Sequence, residues 1–261
     1  MLHQTETTTE DHKTRLKGFF DGLDREIEDA VEDHGNGLRR FFSGLSPVAK
    51  YAKRAQEKLD RIAATKFSVF EYFRERETDL SRIFADLLDP AGRHGQGERF
   101  LRLFLVGIHR SLDETLRREF PLSDIHQAKV HLEYPTDKLR RIDIVLEMPN
   151  NHWVGIENKP RAEEQEDQVK DYLKFLQDKV RHSGDGTAWM LYWSGDASSP
   201  KTLPDDTDEK KHCLTVPYQE TDNESPSLEN WVRQCWEQCE ADRVRWLLRD
   251  LLEYISEGRF I

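Results

Sequence analysis

The stretch "RIDIVLEMPNNHWVGIENKP", residues 141 to 160, constrains the fold of this chain more than any other. Two runs rich in apolar and β-branched residues flank Pro149, Asn150 and Asn151, the pattern of two strands joined by a turn. Both runs would read as ordinary buried sheet if they did not carry Asp143, Glu157 and Lys159. A charge inside a buried strand is costly unless it is paired or coordinated, so these three positions call for a functional account.

Side chains alternate across a strand, so Glu157 and Lys159 project from one face. A hairpin centred between Asn150 and Asn151 would set Asp143 against Asn158 and turn it away from Glu157. A change of one residue in register reverses that outcome. The reading therefore predicts an odd-numbered connection, or a bulge, that sets Asp143 opposite Glu157. Two carboxylates converging on a partly buried face repel each other, and a divalent cation resolves the conflict. Mg²⁺ takes oxygen ligands and keeps several waters, so two carboxylates, a backbone carbonyl and a substrate phosphate suit it, with Mn²⁺ as a substitute. Lys159 then either orients or deprotonates the attacking water or stabilises charge in the transition state. The competing reading is an ordinary pair of surface salt bridges on adjacent strands.

Composition narrows the partners. With 261 residues, 36% hydrophobic and 34% charged, the chain suits one sizeable domain with a helical arm and a heavily solvated surface. A formal net charge of −11 argues against tight, constitutive, sequence-independent binding to nucleic acid. Any basic surface must be local, and Lys138, Arg140 and Arg141, then Lys159 and Arg161, are the candidates. No apolar run approaches the length of a membrane span and no secretory signal opens the chain, which makes the cytosol the expected compartment. Cys213, Cys235 and Cys239 form no disulfide framework, and their spacing with His212 or His182 matches no common zinc pattern, so buried helical thiols are the better reading for Cys235 and Cys239.

Along the chain, residues 1 to about 12 are polar and expected to be disordered. Apolar positions from Leu16 to Val31 recur at helical spacing, "DHGNG" with Gly35 and Gly37 is expected to stop that helix, and further helices are expected over Leu38–Leu45 and from Pro47 to about Thr65. "ETDLSRIFADLLDPAGRHGQGERFLRLFLVGIHRSL" reads as two amphipathic helices around a glycine-rich turn. Gly92, Gly95 and Gly97 lack the preceding strand and following Gly-Lys-Ser/Thr of a phosphate cradle, so they read as an interhelical turn. Strands are expected over 129–134, 141–147 and 152–158, a helix over 163–180, strands in "TAWMLYWSG" and "HCLTVPY" around an acidic loop, and closing helices over 227–240 and 242–256. That order implies an α/β fold with a mixed sheet and helices on both sides.

"IDIVLE", followed 14 positions after its Asp by "ENK", resembles the Asp…Glu-x-Lys signature of the PD-(D/E)xK nuclease superfamily. Gln168 and Tyr172 resemble the Gln-x-x-x-Tyr motif of its RecB-like branch, and at i, i+4 they share a helix face. For Tyr172 a plain core role weighs nearly as much. Glu77, the Leu-Leu-Asp-Pro at 87–90 and His94, Gly95, Gly97 and Phe100 are similar to the upstream region of a bacterial branch. The resemblance spans roughly residues 70 to 255, with Ile142 where the superfamily name has Pro and Asn158 at the variable position. Glu133 and Asp137 offer alternative first carboxylates, but lie beyond a turn, which favours Asp143.

The resemblance implies a restriction-endonuclease-like α-β-β-β-α-β core over 66–261 behind a helical arm over 1–65. It implies a Mg²⁺-dependent phosphodiesterase acting on DNA rather than RNA, with a role in prokaryotic defence or DNA processing. Asp143, Glu157 and an auxiliary Glu77 would hold metal, Lys159 would assist, and Gln168 and Tyr172 would position substrate. Two other readings stay open: a catalytically silent interaction protein on the nuclease fold, which the negative charge favours, and a nuclease that waits for a partner or a second copy docked on the N-terminal helices. Strandedness, sequence preference and endo- or exonucleolytic cutting are not readable.

Overall fold

The structure, a computed structural model, describes residues 18, 22, 26, 32, 34–45, 47–56, 70, 77–138, 140–161, 167–203, 206–221 and 225–259. Backbone contacts divide the chain into two units, Met1–Phe67 and Ser68–Ile261. In the first unit, residues 34–45 and 47–56 are helical, as are the isolated positions 18, 22, 26 and 32. The expectation for residues 1 to 12, most of the helix expected over 16–31, and the stretch from 57 to 65 lie outside the described residues. "DHGNG" does not act as a break where it is described: Gly35 and Gly37 are themselves helical, within 34–45. Glycine costs only about 1 kcal/mol in a helix interior. A glycine commonly ends a helix by taking a left-handed backbone just past the last turn, and neither glycine has positive φ.

The second unit runs α1 (Glu77–Leu88), α2 (Arg99–Ser111), α3 (Glu114–Glu119), a 3₁₀ turn (Ile125–Gln127), β1 (Lys129–Pro135), β2 (Arg141–Met148), β3 (His152–Lys159), α4 (Gln168–Ser183), β4 (Ala188–Ser194), α5 (Thr207–Lys210), β5 (Cys213–Pro217), α6 (Leu228–Gln238) and α7 (Asp242–Ser256). The strands form one mixed sheet in the spatial order β1-β2-β3-β4-β5. β1, β2 and β3 are antiparallel, whereas β4 runs parallel to β3 and β5 parallel to β4. This is the α/β sheet with flanking helices that the element order implied.

Two apolar layers sandwich the sheet. Ile144, Leu146, Val154, Ile156, Leu191 and Trp193 point into the larger core, where α1, α2, α6 and α7 supply Phe84, Phe104, Trp231 and Tyr254. Val145, Met190 and Tyr192 face the smaller core beneath Val169, Leu173 and Leu176 of α4. Each fully buried side chain of this size contributes about 1.5–3 kcal/mol. Helix α4 starts at Gln168, after Asp167 at φ 56, and not at 163, since a left-handed residue cannot continue a helix backwards. Residues 163–166 lie outside the described set. The capped α3, the 3₁₀ turn and α5 inside the expected acidic loop were not anticipated; Asp113 and Asp206 accept the first backbone N–H groups of α3 and α5.

The β2–β3 connection sets the site. Met148 pairs with His152 and the register runs to Ile144–Ile156, so the linker is the odd-numbered Pro149-Asn150-Asn151. Asn150 and Asn151 both adopt left-handed backbone, at φ 56 and 59, which asparagine tolerates better than most residues. The turn is held from outside: Asn151 Nδ2 donates to Val180 O at 3.0 Å and Gly184 O at 3.3 Å, at the end of α4. A Cβ on Gly186 would lie 2.2 Å from Asn151 O, so the α4–β4 loop presses on the turn without room for a side chain.

Two predictions follow from this turn. Gly186→Ala should lower stability by about 1–3 kcal/mol, because its clash is with backbone rather than with a movable side chain; a shifted urea midpoint at unchanged m-value measures it. His152 Nδ1 accepts the Thr187 N–H at 3.1 Å, and burial depresses the imidazole pKa below its ordinary 6.5. A depressed pKa means that the unfolded chain protonates first, so this contribution is complete above pH 6.5 and is lost as pH falls through the folded value. Urea midpoints between about pH 7.5 and about pH 5.5 should therefore fall less steeply in His152→Asn than in the wild type, these pH values being about one unit either side of a free histidine's pKa.

Candidate active site

Carried one residue past Ile144–Ile156, the β2–β3 register sets Asp143 against Glu157. Asp143 is 8% exposed, Glu157 1%, and the Lys159 side chain 9%. At this end of the hairpin Asp143 Oδ2 accepts the Asn158 N–H at 2.8 Å, which fixes its carboxylate to the backbone of β3. Lys159 Nζ sits 2.7 Å from Glu157 Oε1. Gln168, the first residue of α4, donates Nε2 to the same oxygen at 2.6 Å. One acidic oxygen thus takes two donors, and Oε2 is buried with no hydrogen bond on it among the described residues.

Tyr172 lies one helical turn further. Its hydroxyl accepts from Gln168 Nε2 at 3.2 Å and donates to Arg141 O at 2.7 Å, tying α4 to the start of β2. Burial first, then the nearby Glu157 and Asp143 charges, push its pKa up to about 12. The phenol therefore stays protonated and remains a donor. Both ends of the Gln-x-x-x-Tyr pair thus meet the site, with Gln168 touching the carboxylate and Tyr172 holding Gln168 from behind.

Asn158 was not expected to matter beyond filling the variable position. It points to the opposite face of the sheet and is fully buried. Its Nδ2 donates to Ser81 Oγ of α1 at 2.9 Å, and its Oδ1 accepts from Tyr218 OH at 2.5 Å. The signals were present: Ser81 falls on the apolar face of α1 with Phe84, Ala85 and Leu88, and Tyr218 follows β5 and is fully buried, so both polar tips needed partners.

The other sequence candidates are placed as follows. Glu77 opens α1, and its side chain lies outside the described residues. The glycine turn is structural. His94 accepts the Gln96 N–H on Nδ1 at 3.0 Å, so its Nε2 carries the proton donated to Asp89 O at 2.9 Å, and the ring stacks on Phe100. Gly95 and Gly97 hold φ 68 and 60. The local basic surface is paired internally: Lys138 and Arg140 both reach Asp171, and Arg141 reaches Glu133. All three cysteines are free; Cys235 lies on α6, where burial holds its thiol well above the usual range, and Cys239 follows the helix end. Among the described residues no cluster of three or more His, Cys, Asp or Glu could hold a metal, and no helix is long and apolar enough to cross a membrane.

The donor set still suits a hard divalent ion. Mg²⁺ is commonly held by one or two carboxylates, with water and substrate phosphate filling the remaining positions, rather than by an all-protein cage. Asp143 and Glu157 supply such a pair, and both orient by bonds within the chain.

A sequence model described as the PD-(D/E)XK nuclease superfamily matches residues 66–253, nearly all of the second unit. The chain belongs to the PD-(D/E)XK nuclease superfamily. Comparisons with curated proteins and with solved structures return no match. Superfamily proteins are generally nucleases that use divalent metals, which makes nucleic acid the substrate class that the family suggests.

Asn158→Ala should cost about 1–3 kcal/mol by removing the hydrogen bonds to Ser81 and Tyr218. Asp143 keeps its bond to the backbone N–H of residue 158, so thermal unfolding should shift while the carboxylate's local environment, followed by NMR titration, does not.

Proposed function

We propose that this superfamily member is a Mg²⁺-dependent nuclease acting on DNA, with Mn²⁺ able to substitute. The observation that carries this reading is the shared face of Asp143 and Glu157, with Lys159 and Gln168 both donating to Glu157 Oε1. An ion held there lowers the pKa of a coordinated water and neutralises charge on the phosphate. Asp143 and Glu157 would hold that ion, and Glu77 is the proposed auxiliary ligand.

The chain's own residues do the rest. Gln168 and Lys159 hold the Glu157 carboxylate in one rotamer, which removes reorganisation from the reaction coordinate. The Lys159 ammonium is placed to orient the attacking water or to stabilise charge building on the phosphate oxygens. Tyr172 acts through Gln168. The Gln168/Tyr172 pair supports the RecB-like affiliation, and the family suggests a cytoplasmic role in defence or DNA processing. We further assign residues 1–65 to an arm outside the nuclease domain, which takes in 66–261.

Cleavage of plasmid and short oligonucleotides should require Mg²⁺ or Mn²⁺ and stop with chelator. Asp143→Ala, Glu157→Ala and Lys159→Ala should each lower the rate by about 10²-fold or more in protein that far-UV circular dichroism shows still folded. Metal binding by calorimetry without cleavage of any DNA or RNA would instead identify a silent scaffold.

A further inference from the structure

A run of positive charge lies far from the catalytic residues in sequence. Residues 34–56 contain Arg39, Arg40, Lys50, Lys53 and Arg54 and no Asp or Glu, within a protein of formal net charge −11. All five cations are exposed. Among the described residues none of the five forms an ion pair, in contrast to the nuclease unit, where Arg102, Lys129, Lys138 and Arg233 are each bound to a carboxylate of their own unit. Those four nuclease-unit cations are neutralised, whereas this segment holds five cations together with no acid among them.

Bare rings stand beside those charges. Phe41 is 62% exposed, Phe42 64% and Tyr51 74%, in a chain whose other large aromatics are mostly buried. Arg39 and Phe42 are three apart in one helical stretch, and Tyr51 and Arg54 are three apart in the other, so Arg39 and Arg54 each neighbour a ring on the helix surface. A cation beside an exposed aromatic face offers two contacts at once: one to a phosphate and one to an unpaired base.

We propose that the helical segment 34–56 is an accessory grip for a single-stranded nucleic-acid segment, with the cations on the backbone and Phe41, Phe42 and Tyr51 stacking on bases. This rests on the nuclease reading for the identity of the polyanion, since the same segment is also basic and amphipathic in the manner of membrane-surface helices. Nucleic acid is favoured over a second copy because two copies would bring ten like charges together. It is favoured over a lipid surface because nucleic acid is the substrate class that the family suggests.

Fluorescence anisotropy of the full-length protein with labelled single-stranded and duplex oligonucleotides, in chelator, separates binding from cleavage. Replacing all five cations by Gln should weaken single-strand binding about tenfold or more and make the salt slope shallower by up to about 3. Phe41→Ala, Phe42→Ala and Tyr51→Ala should each weaken single-strand binding about fivefold and leave duplex binding nearly unchanged. Far-UV circular dichroism checks that helicity is retained. Unchanged affinity and slope in the five-fold variant would overturn the inference. So would vesicle co-sedimentation, on phosphatidylcholine with phosphatidylserine, or a dimer in sedimentation, that is lost with the charges or rings while oligonucleotide affinity persists. Segment-dependent binding without cleavage in any metal would remove the nuclease reading and leave this inference standing; cleavage with segment-independent binding would do the reverse.

Discussion

Everything at the candidate site depends on the register of β2 against β3. Asp143 and Glu157 meet only because Met148 pairs with His152 across a connection of odd length. That register is decided at the far end of the hairpin, about 20 Å from the carboxylates at the rise of a strand. There, the left-handed Asn150 and Asn151 make the turn, Asn151 caps the end of α4, and Gly186 closes against it. Slipping one residue would send an acid to each face of the sheet, so the exit of α4 and the entry of β4 act as a clamp on chemistry they never touch.

The electrostatics of the site are arranged around one oxygen. Glu157 is almost fully buried, and its charge is compatible with that burial because an ammonium and an amide both donate to Oε1. Asp143 is satisfied differently, by a backbone N–H from the strand that carries Glu157. The two acids therefore differ in freedom. Asp143 moves with β3's backbone, whereas Glu157 moves with α4 through Gln168 and Tyr172.

Much of this was legible in the sequence because period and charge conflicted there. Alternating apolar runs read as strands, and the acids within them stood out against that background. The turn between Glu133 or Asp137 and the second strand then favoured Asp143 as the first acid. What escaped had weak local signals. The "DHGNG" stretch looked like a stop, but Gly35 and Gly37 are themselves helical and neither takes the left-handed backbone with which glycine commonly caps a helix. The late start of α4 rests on the single backbone angle of Asp167, which composition does not reveal. Asn158, Ser81 and Tyr218 are far apart along the chain, and each looks unremarkable alone. Only their meeting across the sheet gives them a role.

Asn158 also changes how the Glu-x-Lys motif should be understood in this chain. The middle letter is conventionally open, since its side chain leaves the reacting face. Here it is gripped from two directions by α1 and by the residue after β5. What constrains this position in the chain therefore lies on the reverse side of the sheet. A redesign that treats the residue between the acid and the base as a blank would disturb the foundation while leaving every reacting group in place.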